Sequence, residues 1–194
     1  MKVLVVVDMQ NDFITGPLGT SEAKAIVPNV KKKIEEAIKN DDLIIYTRDT
    51  HFKNYLETKE GNKLPVEHCI RYSNGWRIPD ELLPPGDYEN MRIVDKHTFG
   101  SASLPGDIIL AVGGLTQLSE IELVGLCTDI CVVSNALILK TMFYEACEIS
   151  VDADCCAGST YKNHEAALKT MKACHINIKN EPPAKSVALD DDFM

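Results

Sequence analysis

Short apolar runs recur along the chain and are separated by longer segments that mix apolar and polar residues. The runs cover residues 3–7, 43–46, 92–94, 121–126, 149–151 and 176–178. Runs of this length, rich in β-branched residues, are typical of strands that are buried on both faces of a parallel sheet. The pattern therefore predicts six buried strands.

Helical periodicity lies between the first two runs. Val27, Val30, Ile34 and Ile38 recur at spacings of three and four residues. This spacing predicts an amphipathic helix, and Pro28 is tolerated if it lies in the first turn. The segment completes a strand, helix and strand unit.

Further helices are predicted in the second half of the chain. The stretch "TDICVVSNALILKTMF" keeps helical spacing, and Thr128 or Asp129 can cap its first turn. The stretch "NHEAALKTMKAC" predicts another helix with Asn163 as its cap, and we expect a short helix in "LPGDIILAVGGLTQ". Strands that alternate with helices predict an α/β fold, with a doubly wound, mostly parallel sheet and helices on both faces.

Two segments depart from this alternation. Residues 47–85 are rich in Gly, Pro, Asn and charged residues and are too long for a simple connection, so we expect an insertion that binds a ligand. Residues 181–194 contain prolines and a run of acids, which predicts a tail that is disordered or lies on the surface. The rest, residues 1–180, is expected to form one domain.

Composition narrows the possible partners. A net charge of −9 and a pI near 5.0 provide no positive field for nucleic acid or for an anionic membrane, so a small molecule is the expected ligand. The apolar run at the N-terminus is too short for a signal peptide or a membrane span, which predicts a cytoplasmic protein. Seven irregularly spaced cysteines indicate reduced thiols.

Three reactive side chains follow three predicted strands. Asp8 comes after the first, Lys96 after the third, and Cys131 shortly after the fourth. Because ligands bind at the carboxyl ends of parallel strands, an acid, a cation and a thiol can meet in one crevice. The start of a helix and Lys96 would both lower the pKa of the Cys131 thiol, and Asp8 could accept and return its proton. Backbone N–H groups around Cys131 could stabilise an oxyanion, which predicts acyl transfer through a thioester.

Each of these residues also has a structural interpretation. A lone cysteine is usually a buried core residue, an acid after a strand is usually part of a turn, and a lone lysine is usually on the surface. Cys127 and Cys131 could instead form a C-x-x-x-C metal or redox pair, although no second pair is present to complete a zinc site.

The motifs themselves resemble a known family. "VVVDMQNDF", "VDKHTFGS" and "GLCTDICVVSNALILK" resemble the cysteine hydrolases of the isochorismatase-like superfamily and, within it, the nicotinamidases. The resemblance covers residues 2–175. It implies a six-stranded parallel sheet and the hydrolysis of nicotinamide to nicotinate and ammonia.

The resemblance also implies the roles of individual residues. Asp8 would be the general base, Lys96 the supporting cation and Cys131 the nucleophile. A non-proline cis peptide is implied between Leu126 and Cys127. The backbone N–H groups of Cys127 and Cys131 would form the oxyanion hole.

A metal site is indicated in the insertion. Asp49 and His51 follow a predicted strand, and His68 with Glu57 or Glu60 can complete a set of oxygen and nitrogen ligands for a divalent metal. The resemblance implies that Asp49, His51 and His68 bind a metal that holds the pyridine nitrogen. It favours Glu60 as the further ligand, with Glu57 in reserve, and zinc as the metal, with iron and manganese as alternatives.

The resemblance suggests two aromatic residues for the substrate site. Phe13 matches the position that stacks on the substrate ring, and Trp76 is offset from a position that sandwiches the ring in some relatives. A homo-oligomer is also expected. The alternatives are a hydrolase of the same family that acts on another small amide, and a non-catalytic module that binds a metal or thiols.

Overall fold

The computed structural model describes residues 1–181, and its six strands form one sheet. The strands are β1 Lys2–Val7, β2 Leu43–Asp49, β3 Met91–Lys96, β4 Glu120–Leu126, β5 Glu148–Ala157 and β6 Asn177–Lys179. Their order is β3-β2-β1-β4-β5-β6, and every neighbouring pair is parallel. The predicted doubly wound sheet of six strands is therefore confirmed.

Five α-helices accompany the strands in this part of the chain. They are α1 Asn11–Ile14, α2 Ser21–Lys39, α3 Leu104–Val112, α4 Val133–Phe143 and α5 Tyr161–Ala173. A π-helical turn at Thr128–Val132 precedes α4, and 3-10 turns lie at Tyr55–Glu57, Asp80–Leu82 and Leu115–Gln117. The helix α3 confirms the short helix that was expected from "LPGDIILAVGGLTQ".

The sheet separates two hydrophobic cores. One core packs the buried side of α2 and the α1 segment against side chains such as Val6 and Tyr46. The other packs α3, α4 and α5 against the opposite face, including Val5 and Leu123. Helices thus cover both faces, and the connections after β1, β2, β3 and β4 meet at the carboxyl edge.

The prediction for Pro28 was wrong. α2 begins at Ser21, so Pro28 lies inside the helix, well after the first turn. Thr20 is the cap, and its hydroxyl accepts a hydrogen bond from the backbone N–H of Ala23 at 3.0 Å. Ala23 extends the buried stripe of the helix upstream, and its small side chain did not register in a pattern of large apolar residues.

The predicted caps of two other helices were also wrong. Thr160, not Asn163, caps α5 by accepting from the Asn163 N–H at 3.1 Å. Neither Thr128 nor Asp129 caps the helical segment after β4, because these side chains bond across to the segment that follows β5. Thr128 and Asp129 have the right chemistry for a cap but are used for tertiary contacts.

Two remaining expectations concern membranes and the tail. Among residues 1–181, no helix is both long and apolar enough to span a bilayer. Residues 182–194 of the predicted tail lie outside the described part of the chain.

Candidate active site

The structure brings Asp8, Lys96 and Cys131 together at the carboxyl edge of the sheet. Asp8 follows β1, Lys96 ends β3, and Cys131 lies in the π-helical turn after β4. The Nζ of Lys96 is 2.6 Å from Oδ2 of Asp8 and 3.6 Å from Sγ of Cys131. Lys96 therefore contacts both the acid and the thiol.

Burial controls the ionisation of this triad. Burial raises the pKa of the Asp8 carboxyl, and the charge of Lys96 and a hydrogen bond from the Thr47 hydroxyl, at 2.7 Å, only partly oppose it. Burial disfavours the charged form of Lys96 as well, but the surrounding negative groups, with the Asp8 carboxylate first and Asp49 among them, together outweigh burial and raise the pKa of the lysine. The pair consequently holds an ionised lysine next to a carboxylate that binds a proton readily.

The pKa of the Cys131 thiol is raised, contrary to the lowering predicted from its place at the start of a helix. Burial is the largest cause, the Asp8 carboxylate adds to it, and Lys96 opposes it. The thiol therefore keeps its proton in the resting site, next to a carboxyl group that can accept it. Local helix geometry alone could not reveal this degree of desolvation.

The turn that carries the thiol has the predicted backbone. The peptide bond between Leu126 and Cys127 is cis, and the Cys127 carbonyl accepts hydrogen bonds from the N–H groups of Ile130 and Val132. Cys127 and Cys131 line the same cavity. All seven cysteines, which lie within residues 1–181, are free thiols, so these two are not joined in a disulfide.

Four side chains from β2 and the insertion form a second cluster. One ligand atom from each of Asp49, His51, Glu60 and His68 lies within 4.8 Å of the others. Oδ2 of Asp49 is 2.9 Å from Nε2 of His51 and 3.5 Å from Nε2 of His68, and Oε1 of Glu60 is 3.8 Å from both nitrogens. The reserve candidate Glu57 is exposed in a 3-10 turn and is not part of this cluster.

The donor chemistry of this cluster fits a divalent metal. Two imidazole nitrogens and two carboxylate oxygens suit a borderline ion such as zinc. The Nδ1–H of His68 donates to the Val66 carbonyl at 2.8 Å, so Nε2, which faces Oδ2 of Asp49 at 3.5 Å, is the ring nitrogen that would bind a metal. Burial would raise the pKa of Asp49, but hydrogen bonds from His51 and His68 hold it below its usual range, so the carboxylate is ionised.

The two clusters open into one cavity of about 330 Å³. Asp49, Glu60 and His68 line it together with Cys131. Phe13 also lines it, and its ring centroid lies 5.5 Å from that of His68. Apolar side chains complete the wall, including Leu18, Leu64, Phe99 and Leu126. The cavity can therefore hold a small, largely apolar molecule between a thiol and the candidate metal ligands.

Trp76, which the sequence placed in the substrate site, lies elsewhere. Its indole N–H donates to the Thr50 hydroxyl at 2.9 Å, the Arg48 guanidinium stacks on its ring at 3.7 Å, and its carbonyl accepts from Gln10. It is not among the residues that line the cavity of Cys131. Its position makes it a support for the insertion.

Sequence reasoning missed the residues that hold the reactive groups in place. Thr47 bonds the Asp8 carboxylate, and Gln10 bonds both the N–H and the carbonyl of Asp49. Asp129, two residues before the thiol, accepts from the N–H and the hydroxyl of Ser159, which also lines the cavity. These contacts join residues far apart in the chain, and only the polarity of "DMQND" and "TDIC" hinted at them.

Known proteins resemble this chain in sequence and in fold. Residues 2–179 match the Isochorismatase domain family. A nicotinamidase from Saccharomyces cerevisiae is 28% identical over an alignment of 123 residues, and the match covers 50% of this chain and 56% of that protein. The chain thus spans little more than half the length of that curated relative.

Two solved structures share the fold over nearly their whole length. A pyrazinamidase from Pyrococcus horikoshii, in complex with zinc, superposes with a TM-score of 0.77 at 26% identity, over 91% of this chain and 97% of that one. An N-carbamoylsarcosine amidase from Thermoplasma acidophilum superposes with a TM-score of 0.74 at 25% identity, over 95% of this chain and 99% of that one. With the family match across residues 2–179, the chain belongs to the isochorismatase family.

Proposed function

We propose that the protein is an amidohydrolase that converts nicotinamide to nicotinate and ammonia through a thioester on Cys131. One observation carries the proposal: the candidate nucleophile and the metal-binding group line the same small cavity. A related nicotinamidase and a zinc-bound pyrazinamidase of the same fold agree with it. In a cell, this reaction would return nicotinamide to the synthesis of pyridine nucleotides.

The cavity offers distinct positions for the two ends of nicotinamide. Asp49, His51, Glu60 and His68 would hold a divalent metal, zinc being the first choice. When bound, the metal would supply a Lewis-acidic position for the ring nitrogen. Phe13 packs beside His68 and would lie against the ring, so the carboxamide would be directed towards Cys131.

The first half of the reaction would consume the amide. As Sγ of Cys131 attacks the carboxamide carbon, its proton passes to the Asp8 carboxylate, and the C–N bond then breaks as Asp8 returns the proton to the amide nitrogen. Ammonia leaves and a thioester remains. Lys96, in contact with both groups, would hold them together and stabilise the negative charge that moves between them.

The second half would regenerate the thiol. Asp8 takes a proton from a water molecule as that water attacks the thioester carbonyl, and the C–S bond breaks. The proton returns to Sγ, nicotinic acid leaves, and the acid releases its remaining proton to solvent to give nicotinate. Backbone N–H groups of Cys127 and Cys131 would stabilise the oxyanion in both halves.

A second candidate function is the hydrolysis of another small amide by the same triad. The similarity in fold to an N-carbamoylsarcosine amidase favours it. The metal-binding group favours nicotinamide, because an amide without a ring nitrogen would have no use for it. A non-catalytic binding module is the weakest alternative, since it would require the acid, the lysine and the thiol to be separate in space.

A substrate panel tests the proposal. We would compare kcat/KM for ammonia release from nicotinamide, from benzamide, which keeps the ring but lacks its nitrogen, and from an N-carbamoyl amino acid. We expect nicotinamide to exceed benzamide at least 100-fold, because a site built for a polar atom rejects the analogue that lacks it. Equal rates for nicotinamide and benzamide, or a preference for the carbamoyl compound, would overturn the nicotinamide assignment.

A further inference from the structure

Asp12 lies outside the reaction cavity but contacts the backbone of the metal-binding insertion. Its Oδ2 accepts a hydrogen bond from the Cys69 N–H at 2.7 Å. Cys69 directly follows His68, one of the candidate metal ligands. The Asp12 carboxylate thus holds the peptide unit that joins His68 to Cys69.

The same residue, Cys69, connects the two histidines. Its carbonyl accepts a hydrogen bond from the His51 N–H at 3.0 Å. Cys69 is fully buried and has a φ of 47°, a left-handed conformation that residues other than glycine rarely adopt. Such a conformation persists only where its surroundings enforce it, and the bond from Asp12 is one such constraint.

The Asp12 carboxylate has little freedom to move. A Cβ on Gly75 would lie 2.0 Å from its Oδ2, and a Cβ on Gly16 would lie 2.5 Å from its Oδ1. The Asp12 N–H also donates to the Gly75 carbonyl at 3.0 Å. Close packing against two glycines fixes the direction in which the carboxylate points.

Gln10, in the same segment as Asp12, holds the backbone of a third candidate ligand, Asp49. Oε1 of Gln10 accepts from the Asp49 N–H at 2.7 Å, and its Nε2 donates to the Asp49 carbonyl at 2.9 Å. Gln10 and Asp12 therefore link the segment after the candidate base to the ligands on β2 and on the insertion.

We propose that Asp12 is a positioning residue of the metal-binding group, which holds His68 and His51 in place through the Cys69 peptide. The inference rests on the metal-binding part of the proposed function and does not depend on which amide is hydrolysed. Residues that orient metal ligands typically change metal affinity by about 10-fold to 100-fold when they are lost. Asp12 is not expected to touch either metal or substrate.

Metal affinity measured without substrate tests this role. Metal-free protein would be titrated with zinc in competition with a chromogenic chelator, and the zinc Kd compared among wild type, Asp12→Ala and Asp12→Asn. Asn can still accept the Cys69 N–H bond through its amide oxygen. We expect the Kd to rise about 10-fold to 100-fold in the alanine variant and less in the asparagine variant.

Glu67→Ala is the matched control. Glu67 directly precedes His68 and is exposed, so its loss removes a negative charge next to the same ligand without removing a bond to the backbone. We expect its zinc Kd to stay near the wild-type value. Thermal unfolding of each metal-free variant identifies any that fails to fold. If Asp12→Ala does not fold, Asp12→Asn is compared with wild type in its place.

The outcomes separate the inference from the proposed function. An unchanged Kd in both Asp12 variants, with tight binding by wild type, would overturn the inference and leave the metal site intact. Equal weakening by Glu67→Ala would overturn it too, since charge alone would explain the loss. If wild type binds no zinc, both the inference and the metal-binding part of the proposed function fail, whereas ammonia release can still test the hydrolase assignment.

Discussion

The Nζ of Lys96 lies 2.6 Å from Oδ2 of Asp8, and both side chains are almost completely buried. A buried ion pair is costly to break, because removing one partner leaves an uncompensated charge. The 3.6 Å contact of the same Nζ with Sγ of Cys131 links this pair to the candidate nucleophile. The effect of these contacts on the free energy of unfolding and their effect on kcat/KM can be measured separately.

Replacing Lys96 with methionine should make stability depend strongly on pH. Without the lysine, burial raises the pKa of Asp8 further above its ordinary value near 4. An acid whose folded pKa is raised contributes stability below its unfolded pKa and loses it as pH rises through the folded pKa. We expect Lys96→Met to lose about 3–5 kcal/mol of unfolding free energy at pH 8 and to regain part of it as pH falls towards 5. Urea unfolding at several pH values measures this, and a profile parallel to that of wild type would contradict it.

The hydrogen bond from Thr47 to Asp8 should determine the pH at which kcat/KM falls on the acid side of its profile. The Thr47 hydroxyl lies 2.7 Å from Oδ1 and favours the ionised carboxylate. Thr47→Val removes this bond, so the pKa of Asp8 should rise and the acid limb of kcat/KM should move to higher pH. A hydrogen bond to a charged group contributes about 1.5–3 kcal/mol, which corresponds to a shift of about one to two pH units. Thr141→Val, on the exposed side of α4, is the control and should leave the profile in place.

Loss of the candidate nucleophile should abolish turnover without affecting the metal group. We expect Cys131→Ala to lower kcat at least about 1000-fold, as removal of a nucleophile does in other hydrolases. Its zinc Kd should match that of wild type. Cys174→Ser, which alters an exposed thiol, is the control. Retained activity in Cys131→Ala would exclude a thioester on this residue.

Glu60 and Glu57 can be told apart by zinc affinity. Oε1 of Glu60 lies 3.8 Å from Nε2 of both His51 and His68, whereas Glu57 is exposed. Glu60→Gln should raise the zinc Kd by about 10-fold or more, and Glu57→Gln should leave it unchanged. The reverse result would transfer the ligand role to Glu57.

Trp76 should contribute to the free energy of unfolding but not to substrate binding. Trp76→Phe removes the indole N–H that bonds the Thr50 hydroxyl, which should cost about 1 kcal/mol of unfolding free energy. KM for nicotinamide should stay within about twofold of wild type, since a residue without a substrate contact makes no uniform binding contribution. A large rise in KM with unchanged stability would return Trp76 to the substrate site.

The strands could be predicted because burial on both faces leaves a simple apolar signature. β5 extends furthest beyond its prediction, from Glu148 to Ala157, because it contains a polar residue that is nonetheless fully buried. Asp152 lies 2.8 Å from Nζ of Lys33 and accepts hydrogen bonds from Asn180, and these tertiary partners are invisible in a local pattern. The end of a strand therefore cannot be predicted from a short stretch of sequence where it depends on contacts with distant residues.

Some parts of the candidate site could likewise be predicted from the sequence and others could not. Asp8, Lys96 and Cys131 could be identified because each lies at or just after the end of a strand, and parallel strands end at one edge. The direction of the thiol pKa could not, because the degree of burial depends on the whole fold. Glu60 could be preferred to Glu57 only through a resemblance, since either glutamate fits a loose spacing. The supporting role of Asp12 depends on a bond to Cys69, 57 residues away, that no spacing rule predicts.

Ammonia release from nicotinamide by purified protein, measured before and after chelation and again after zinc is added back, tests the proposed reaction and the role of the metal-binding group together. We expect release that falls when the metal is removed, returns with zinc and is absent in Cys131→Ala under every condition. Zinc-loaded protein that binds the metal but releases no ammonia from nicotinamide would contradict the nicotinamidase assignment, and release that is unaffected by chelation would contradict the role of the metal-binding group.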